Sequence, residues 1–462
     1  MATCRQISRT VQLPRLKHMF LSKQVHLYCI GLLISWLSII APLFAQTVTT
    51  ANATAGDTVR QSLPQLEQLF LERNFQLLAQ RYQVDIASAA ITQAGLRPNP
   101  NLWFQGNLYN PNTHKFLQYG APSQADKDAG IYNSGYYAVQ LQQVILLAGK
   151  RSKLVALAES NRSLAQLAFR DIMRTLHYQL YTTYANLYYD LQTLRLFTDE
   201  LARQQRLVES YRIALRTGGV APYEVTRLEV AVRDLQANIA NYESQVADEQ
   251  ATLRVLIRQP NRSFILPTDL PTPQTTLPPL NTALDSALTN RPDIGLSQEQ
   301  INNAQRSLTL EKSRRTPDLT TGLFFEKYGN AYPNFVGLQA SMDLPVRNRN
   351  QGAIRSAEAT LKSVTGGLEN QQTVVQSDVL NTYDKLNTYY DQLRSRPEGY
   401  LDRIQNISVE ATRAYNARAI SLLDYLDKIR TYQQAQLNNI NLLNNLFNTQ
   451  QLLNYTTNTR FF

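Results

Sequence analysis

Apolar residues recur at helical spacing from Pro64 to Leu96, at Leu66, Leu69, Phe70, Phe75, Leu78 and Ile86. The same spacing returns from Asn281 to Arg315, where Pro292 is the one conspicuous interruption. Each segment gives way to strict alternation. Leu102, Phe104 and Leu108 alternate with Trp103, Gln105 and Asn107, and Tyr137, Val139 and Leu141 with Ala138, Gln140 and Gln142. Farther on, Leu319, Thr321, Leu323 and Phe325 alternate with Thr320, Gly322, Phe324 and Glu326. Val336, Leu338, Ala340, Met342 and Leu344 do so with Gly337, Gln339, Ser341 and Asp343. A period of two predicts four strands of about ten residues, each with an apolar and a mostly polar face.

A long helical stretch follows each strand pair. Residues 150–217 hold no Gly and no Pro, so a single helix there would be about 100 Å long. Its counterpart, about 350–417, contains Gly366–Gly367, Pro397 and Gly399, which predict bends or a break. Both stretches reach a short non-helical point, "TGGVAP" and "NARAIS", and return as 223–259 and 421–458 without Gly or Pro. Each return is too short to match its outgoing helix. The first helix of the same half makes up the difference, which predicts that the two stack end to end beside the long one. In the last helix Leu422, Leu426, Ile429, Ile440, Leu443 and Phe447, with Gln433 and Gln436 in phase, form a coiled-coil seam with polar gaps.

The two halves are copies of one pattern. "LRPNPNLWF" (96–104) matches "SRRTPDLTT" (313–321), and "YRIALRTGGVAPYEV" (211–225) matches "ATRAYNARAISLLDY" (411–425), with offsets of 217 and 200. The difference, 17 residues, falls to the turn-rich stretch 111–135 of the first copy. Between the copies, 259–280 carries six prolines and reads as an extended linker. The division is therefore 1–45, 46–63 (a flexible N-terminal segment), repeat one at 64–258, the linker 259–280, repeat two at 281–458, and a tail at 459–462.

Composition changes this picture at the N-terminus. Arg5, Arg9, Arg15, Lys17 and Lys23, without an acid, precede "LYCIGLLISWLSIIAPLFAQ" and small residues near Ala45, the order of a secretory signal peptide over 1–45. Met19 is a second possible start, and an uncleaved membrane anchor is the other reading of the run. Without those five cations the chain's 46 basic residues fall to 41 against 36 acidic ones, and no basic stripe with interleaved aromatics points to nucleic acid. Cys4 and Cys29 both lie in the segment to be removed. Beyond it the only histidines are His114 and His177 and the only methionines Met173 and Met342, so no metal site, cofactor site or catalytic constellation is expected.

Four strands with one apolar face cannot close a barrel, and in lipid nothing satisfies the unpaired edges. Three copies would supply twelve strands of bilayer-spanning length. The ordered set "RNFQLLAQ…AAITQAGLRPNPNL", "LLAGKR", "GGVAPYEVTRLEVAV", "NRPDI", "LPVRNRNQG" and "LLDYLDKIRTYQQAQ" resembles the TolC-like outer-membrane efflux proteins of Gram-negative bacteria, over about residues 60–458. The resemblance implies a mostly α-helical homotrimer with a twelve-stranded outer-membrane β-barrel continued by a long α-helical barrel. It also implies partners: a periplasmic adaptor and an inner-membrane pump of the resistance-nodulation-division type.

By the same resemblance Asp424 and Asp427 ring the periplasmic constriction, and Gly218, Gly219, Val220, Glu224, Arg418, Ala419 and Ile420 form the hairpin tips that dock the adaptor or pump. The polar strand positions Gln105, Asn107, Gln140, Gln142, Gln339 and Ser341 would line the barrel. The residues alone leave a second reading open, in which Asp424 and Asp427 solvate a helix surface beside Lys428 and Arg430. Two departures stand out. Arg418 replaces the equivalent of Gly218, which predicts a differently shaped second tip, and Ile420 stands where the family often places a basic residue. The competing architecture is an exported coiled-coil adaptor without a pore, and the cargo is not legible.

Overall fold

A computed structural model describes residues 58–110, 114–117, 124–130, 135–259, 262–270, 273–274, 276–328 and 332–462. Residues 1–57, which include the expected signal segment 1–45, lie outside them. In the first half, β1 (Thr58–Gln61), α1 (Leu63–Arg73), α2 (Phe75–Gly95), β2 (Asn101–Gly106), β3 (Tyr109–Asn110), β4 (Lys115–Phe116), α3 (Gln124–Asp128), β5 (Tyr136–Ile145), α4 (Lys150–Arg216) and α5 (Pro222–Leu256) follow in order. In the second come β6 (Phe264–Pro267), α6 (Leu280–Asn290), α7 (Pro292–Ser313), β7 (Leu319–Tyr328), β8 (Tyr332–Met342), α8 (Gln351–Arg394), α9 (Tyr400–Asn416) and α10 (Leu422–Thr457). The stretch 111–135 that lengthens the first copy contains β4, which pairs with β3 just before it, and α3. No helix among the described residues is long and apolar enough to cross a membrane.

The four long strands form one antiparallel sheet in the order β2-β5-β7-β8. Its register keeps the two alternating sets apart: Leu141 pairs with Leu102 and Leu323, and Leu323 with Leu338, all on one face. No helix packs across the sheet among the described residues. Leu102 is 71% exposed, Val336 71% and Leu338 83%. Gly337 admits the Phe324 ring, since a Cβ there would lie 2.4 Å from it.

Helix α4 runs unbroken for 67 residues. Its counterpart passes straight through Gly366 and Gly367, whose cost of about 1 kcal/mol each is too small to break a packed helix. It stops instead at Arg394, where Pro397 and Gly399 (φ +65°) intervene before α9. The expected first helix is split in each copy. Pro292 forces the preceding Arg291 to extended geometry (ψ 126°). Asn74 (ψ 121°) ends α1 and caps α2, its Oδ1 accepting the Leu77 N–H at 3.0 Å.

At these splits the short helices meet end to end. In copy one, Asn74 Nδ2 donates to the Leu256 carbonyl at 2.8 Å, and the Arg258 guanidinium lies 4.0 Å from the Phe75 ring centre. In copy two, Arg291 donates to the Thr456 carbonyl (3.2 Å) and Asn458 to that of Asn290 (2.9 Å). Arg258 and Asn458, 200 positions apart, both adopt positive φ (52° and 48°). Arg291 is buried and neutralised by Asp293 at 2.6 Å and Asp378 at 3.3 Å.

The expected flexible and linker segments contribute more structure than their composition suggested. Residues 58–61 pair in parallel with 264–267. Ile265 is fully buried, and the Gln250 side chain accepts its N–H (2.9 Å) and donates to its carbonyl (2.6 Å). The Tyr184 hydroxyl reaches the Gln61 and Asp269 carbonyls at 3.0 Å each. The linker is thereby fastened over a core containing Phe70, Leu180 and Leu253.

Candidate functional site

The two tips share one backbone solution. After α4 the amide of Gly219 donates to the Ala214 carbonyl (2.8 Å), and Gly218 takes φ +73°. After α9 the amide of Ala419 donates to Ala414 (2.8 Å), and Arg418 takes φ +58°. This is the left-handed helix ending that glycine normally supplies. The second tip is therefore not differently shaped: its terminal hydrogen bonds hold Arg418 in glycine's conformation. Gly218, Gly219, Arg418 and Ala419 are exposed, whereas Val220 and Ile420 are half-buried.

The acidic residues begin the return helices. Asp424 accepts from the Ser421 hydroxyl (2.7 Å) and amide (3.3 Å), while its own amide donates to Ser421 Oγ (3.1 Å). These bonds, the hydroxyl's first, hold the Asp424 carboxyl below its ordinary range. Glu224 does the equivalent in copy one, accepting the Ala221 amide at 3.1 Å. Asp427 is exposed one turn later on the same face. Among the described residues neither aspartate forms an ion pair; the pairs with Lys428 and Arg430 are not made.

The opposite face of α10 fastens the two hairpins together. Leu422, Tyr425 and Ile429 bury against Val208, Leu228 and Ala411. The Tyr415 hydroxyl donates to that of Tyr211 at 2.5 Å, and Tyr425 stacks on Tyr415 at 4.7 Å between centres. The seam is thus wider than the alternating leucines suggested. Its tyrosines were visible in the sequence, but Tyr415 finds its hydroxyl partner Tyr211 on another helix 204 residues away.

The polar strand residues occupy one face of the sheet. Gln140 on β5 donates to Gln339 on β8 across the intervening β7, where Gln140 pairs in register with Phe324 and Gln339 with Gly322. Gln105 pairs in register with Ala138, Gln142 with Gly322 and Ser341 with Thr320, and the Asn107 amide donates to Tyr136 at 3.1 Å. Trp103 and Phe324 share that face, so it is not uniformly polar. The strand residues and the tips belong to opposite ends of α4, about 100 Å apart along it.

An uncovered bilayer-length sheet joined to long paired helices that end in matched tips defines a channel-type protein of the outer membrane. The chain belongs to the outer membrane efflux protein family, which it matches over residues 66–257 and 283–458. It is 24% identical to the cobalt-zinc-cadmium resistance protein CzcC of Cupriavidus metallidurans over 378 residues, 80% of this chain and 83% of that one. Its fold is similar to that of the Campylobacter jejuni CmeC outer membrane channel (TM-score 0.68, 14% identity, 86% of each chain). The open-state Neisseria gonorrhoeae MtrE outer membrane channel is also similar (TM-score 0.63, 17% identity, 89% of this chain and 94% of that one). The protein is accordingly an outer-membrane efflux duct and not an enzyme.

Proposed function

We propose that three copies share their sheets in one twelve-stranded barrel and their helices in a periplasmic tube whose narrow end is formed by the tips. The observation that carries this reading is the sheet whose faces and whose edges at β2 and β8 have no partner among the described residues. The two edges, six residues in β2 and eleven in β8, together leave about eight N–H groups and as many carbonyls without partners, and each costs several kcal/mol in hydrocarbon. No apolar face offsets tens of kcal/mol, so a lone sheet does not insert. Strand polarity supports closure: β8 runs opposite to β2, so each junction between copies is antiparallel like every pair within one.

In the trimer Gln105, Asn107, Gln140, Gln142, Gln339 and Ser341 line the lumen, and the tips meet a periplasmic adaptor fed by a resistance-nodulation-division-type pump. Asp424 and Asp427 recur around the mouth as six carboxylates. That ring favours cations, and the likeness to a cobalt-zinc-cadmium resistance protein makes divalent metal cations the first cargo class to examine. Asp424 is also a helix cap, so the selective charge is tested most cleanly at Asp427. In planar bilayers, Asp427→Asn is expected to lower cation-over-anion permeability and D424N/D427N to lower it further. Unchanged reversal potentials in both variants would remove the mouth from the mechanism.

A further inference from the structure

All four connections between the sheet and its helices are cationic. Segments 96–100, 146–153, 314–318 and 343–350 contain Arg97, Lys150, Arg151, Lys153, Arg314, Arg315, Arg347 and Arg349 against only Asp318 and Asp343. Two of these cations are neutralised internally. Lys150 is buried on Asp318 at 2.7 Å, and Arg314 pairs with Glu311 at 2.6 Å. Asp318 is further occupied by the Leu147 amide. Of the other six, Lys153 is half-buried and donates to the Ala148 carbonyl (2.9 Å), and Arg97, Arg151, Arg315, Arg347 and Arg349 are exposed; none of the six forms an ion pair among the described residues. Only Asp343 remains to balance them.

These arginines sit where the apolar surface stops. Leu102 and Met342 end the outward-facing rows at 71% and 44% exposure, and beyond β8 Leu344 and Val346 remain 77% and 70% exposed immediately before Arg347 and Arg349. The opposite strand ends carry tyrosines instead: Tyr136 packs edge-on against Tyr328, with centres 5.7 Å apart. Uncompensated cations gathered at one end of a sheet repel each other unless an anion lies there, and a cation next to exposed aliphatic side chains sits at headgroup depth.

We infer that this belt is a binding surface for anionic phospholipid headgroups of the periplasm-facing leaflet, with Arg97, Arg151, Arg315, Arg347 and Arg349 contacting phosphate. The inference rests on the sheet spanning the outer membrane. Each such cation changes the local preference for an anionic surface by about fivefold.

The test compares the assembled protein in nanodiscs of phosphatidylethanolamine alone and of phosphatidylethanolamine with phosphatidylglycerol at three to one. Bound phosphatidylglycerol is counted by native mass spectrometry after detergent extraction. Wild type is expected to retain phosphatidylglycerol selectively, and the R97Q/R315Q/R347Q/R349Q variant to lose at least about tenfold of that preference while inserting equally well. Raised salt is expected to weaken retention in wild type. Equal retention by wild type and variant, or no selectivity in wild type, overturns the inference alone. Failure of wild type to insert into either nanodisc overturns the membrane-spanning reading and this inference together. If the fourfold variant does not fold, R347Q/R349Q serves in its place, with a smaller loss expected.

Discussion

Arg418 occupies a backbone position that disfavours any residue with a Cβ. Left-handed geometry costs an L-residue about 1–2 kcal/mol, partly balanced by the extra unfolded-state entropy a glycine would carry. Arg418→Gly is therefore expected to stabilise the second tip by roughly 1 kcal/mol, read as a higher thermal midpoint. Gly218→Ala is expected to shift it the other way. Asp424 has a conformational duty as well as a charge. Its carboxyl lies below the ordinary range, so its contribution to capping α10 is present above ordinary carboxylate pKa values and is lost as pH falls through the lowered one. Asp427 has no such duty. That separation was only half legible: Ser421-x-x-Asp424 is a capping signature on its face, but the sequence offered Lys428 and Arg430 as ion-pair partners, and the fold forms neither pair, Lys428 acting on Asp424 only through its nearby charge.

Among the elements, α4 was legible because an uninterrupted run of helix formers has no alternative, and the strands because alternation fixes their faces. The split at Asn74 was not. Its capping asparagine is secured by a carbonyl 182 residues away, and no local pattern announces such a partner. The β1–β6 pair was hidden for the same reason: four-residue strands acquire their hold from Gln250 and Tyr184 on helices elsewhere. A further interhelical contact joins α4 to α5, where Glu249 shares a hydrogen bond with Asp190. Burial, then the Asp190 charge, pushes the Glu249 carboxyl up to about 9. A raised carboxyl stabilises the fold at low pH, and that contribution is lost as pH rises from the ordinary carboxylate range through the folded value. Wild-type thermal stability is expected to decline between pH about 6 and about 9, and Glu249→Gln to flatten that decline while keeping the hydrogen bond to Asp190. An identical slope in the variant would assign the alkaline loss to other groups.

For the whole molecule, the proposed barrel closure rests on the edges at β2 and β8, which have no strand partner among the described residues, and on that proposal self-association is a requirement of membrane residence. The detergent-solubilised protein is expected to have a mass of three chains and to migrate as a heat-sensitive oligomer on a gel; a stable monomer would contradict barrel closure. The two hairpins, although copies, differ in mechanical character. In the first, α4 is one continuous strut from sheet to tip. In the second, the corresponding rod is cut between Arg394 and Tyr400 and articulated at Gly399. A force applied at the tips therefore runs up one continuous helix on the first side, and on the second is carried past the cut by α10, which is unbroken from Leu422 to Thr457 and accepts the Arg396 guanidinium at Asn439 (2.6 Å). Where the aspartates form the proposed mouth, its width is therefore governed by α10 and by the apolar contacts that tie α10 to the first hairpin.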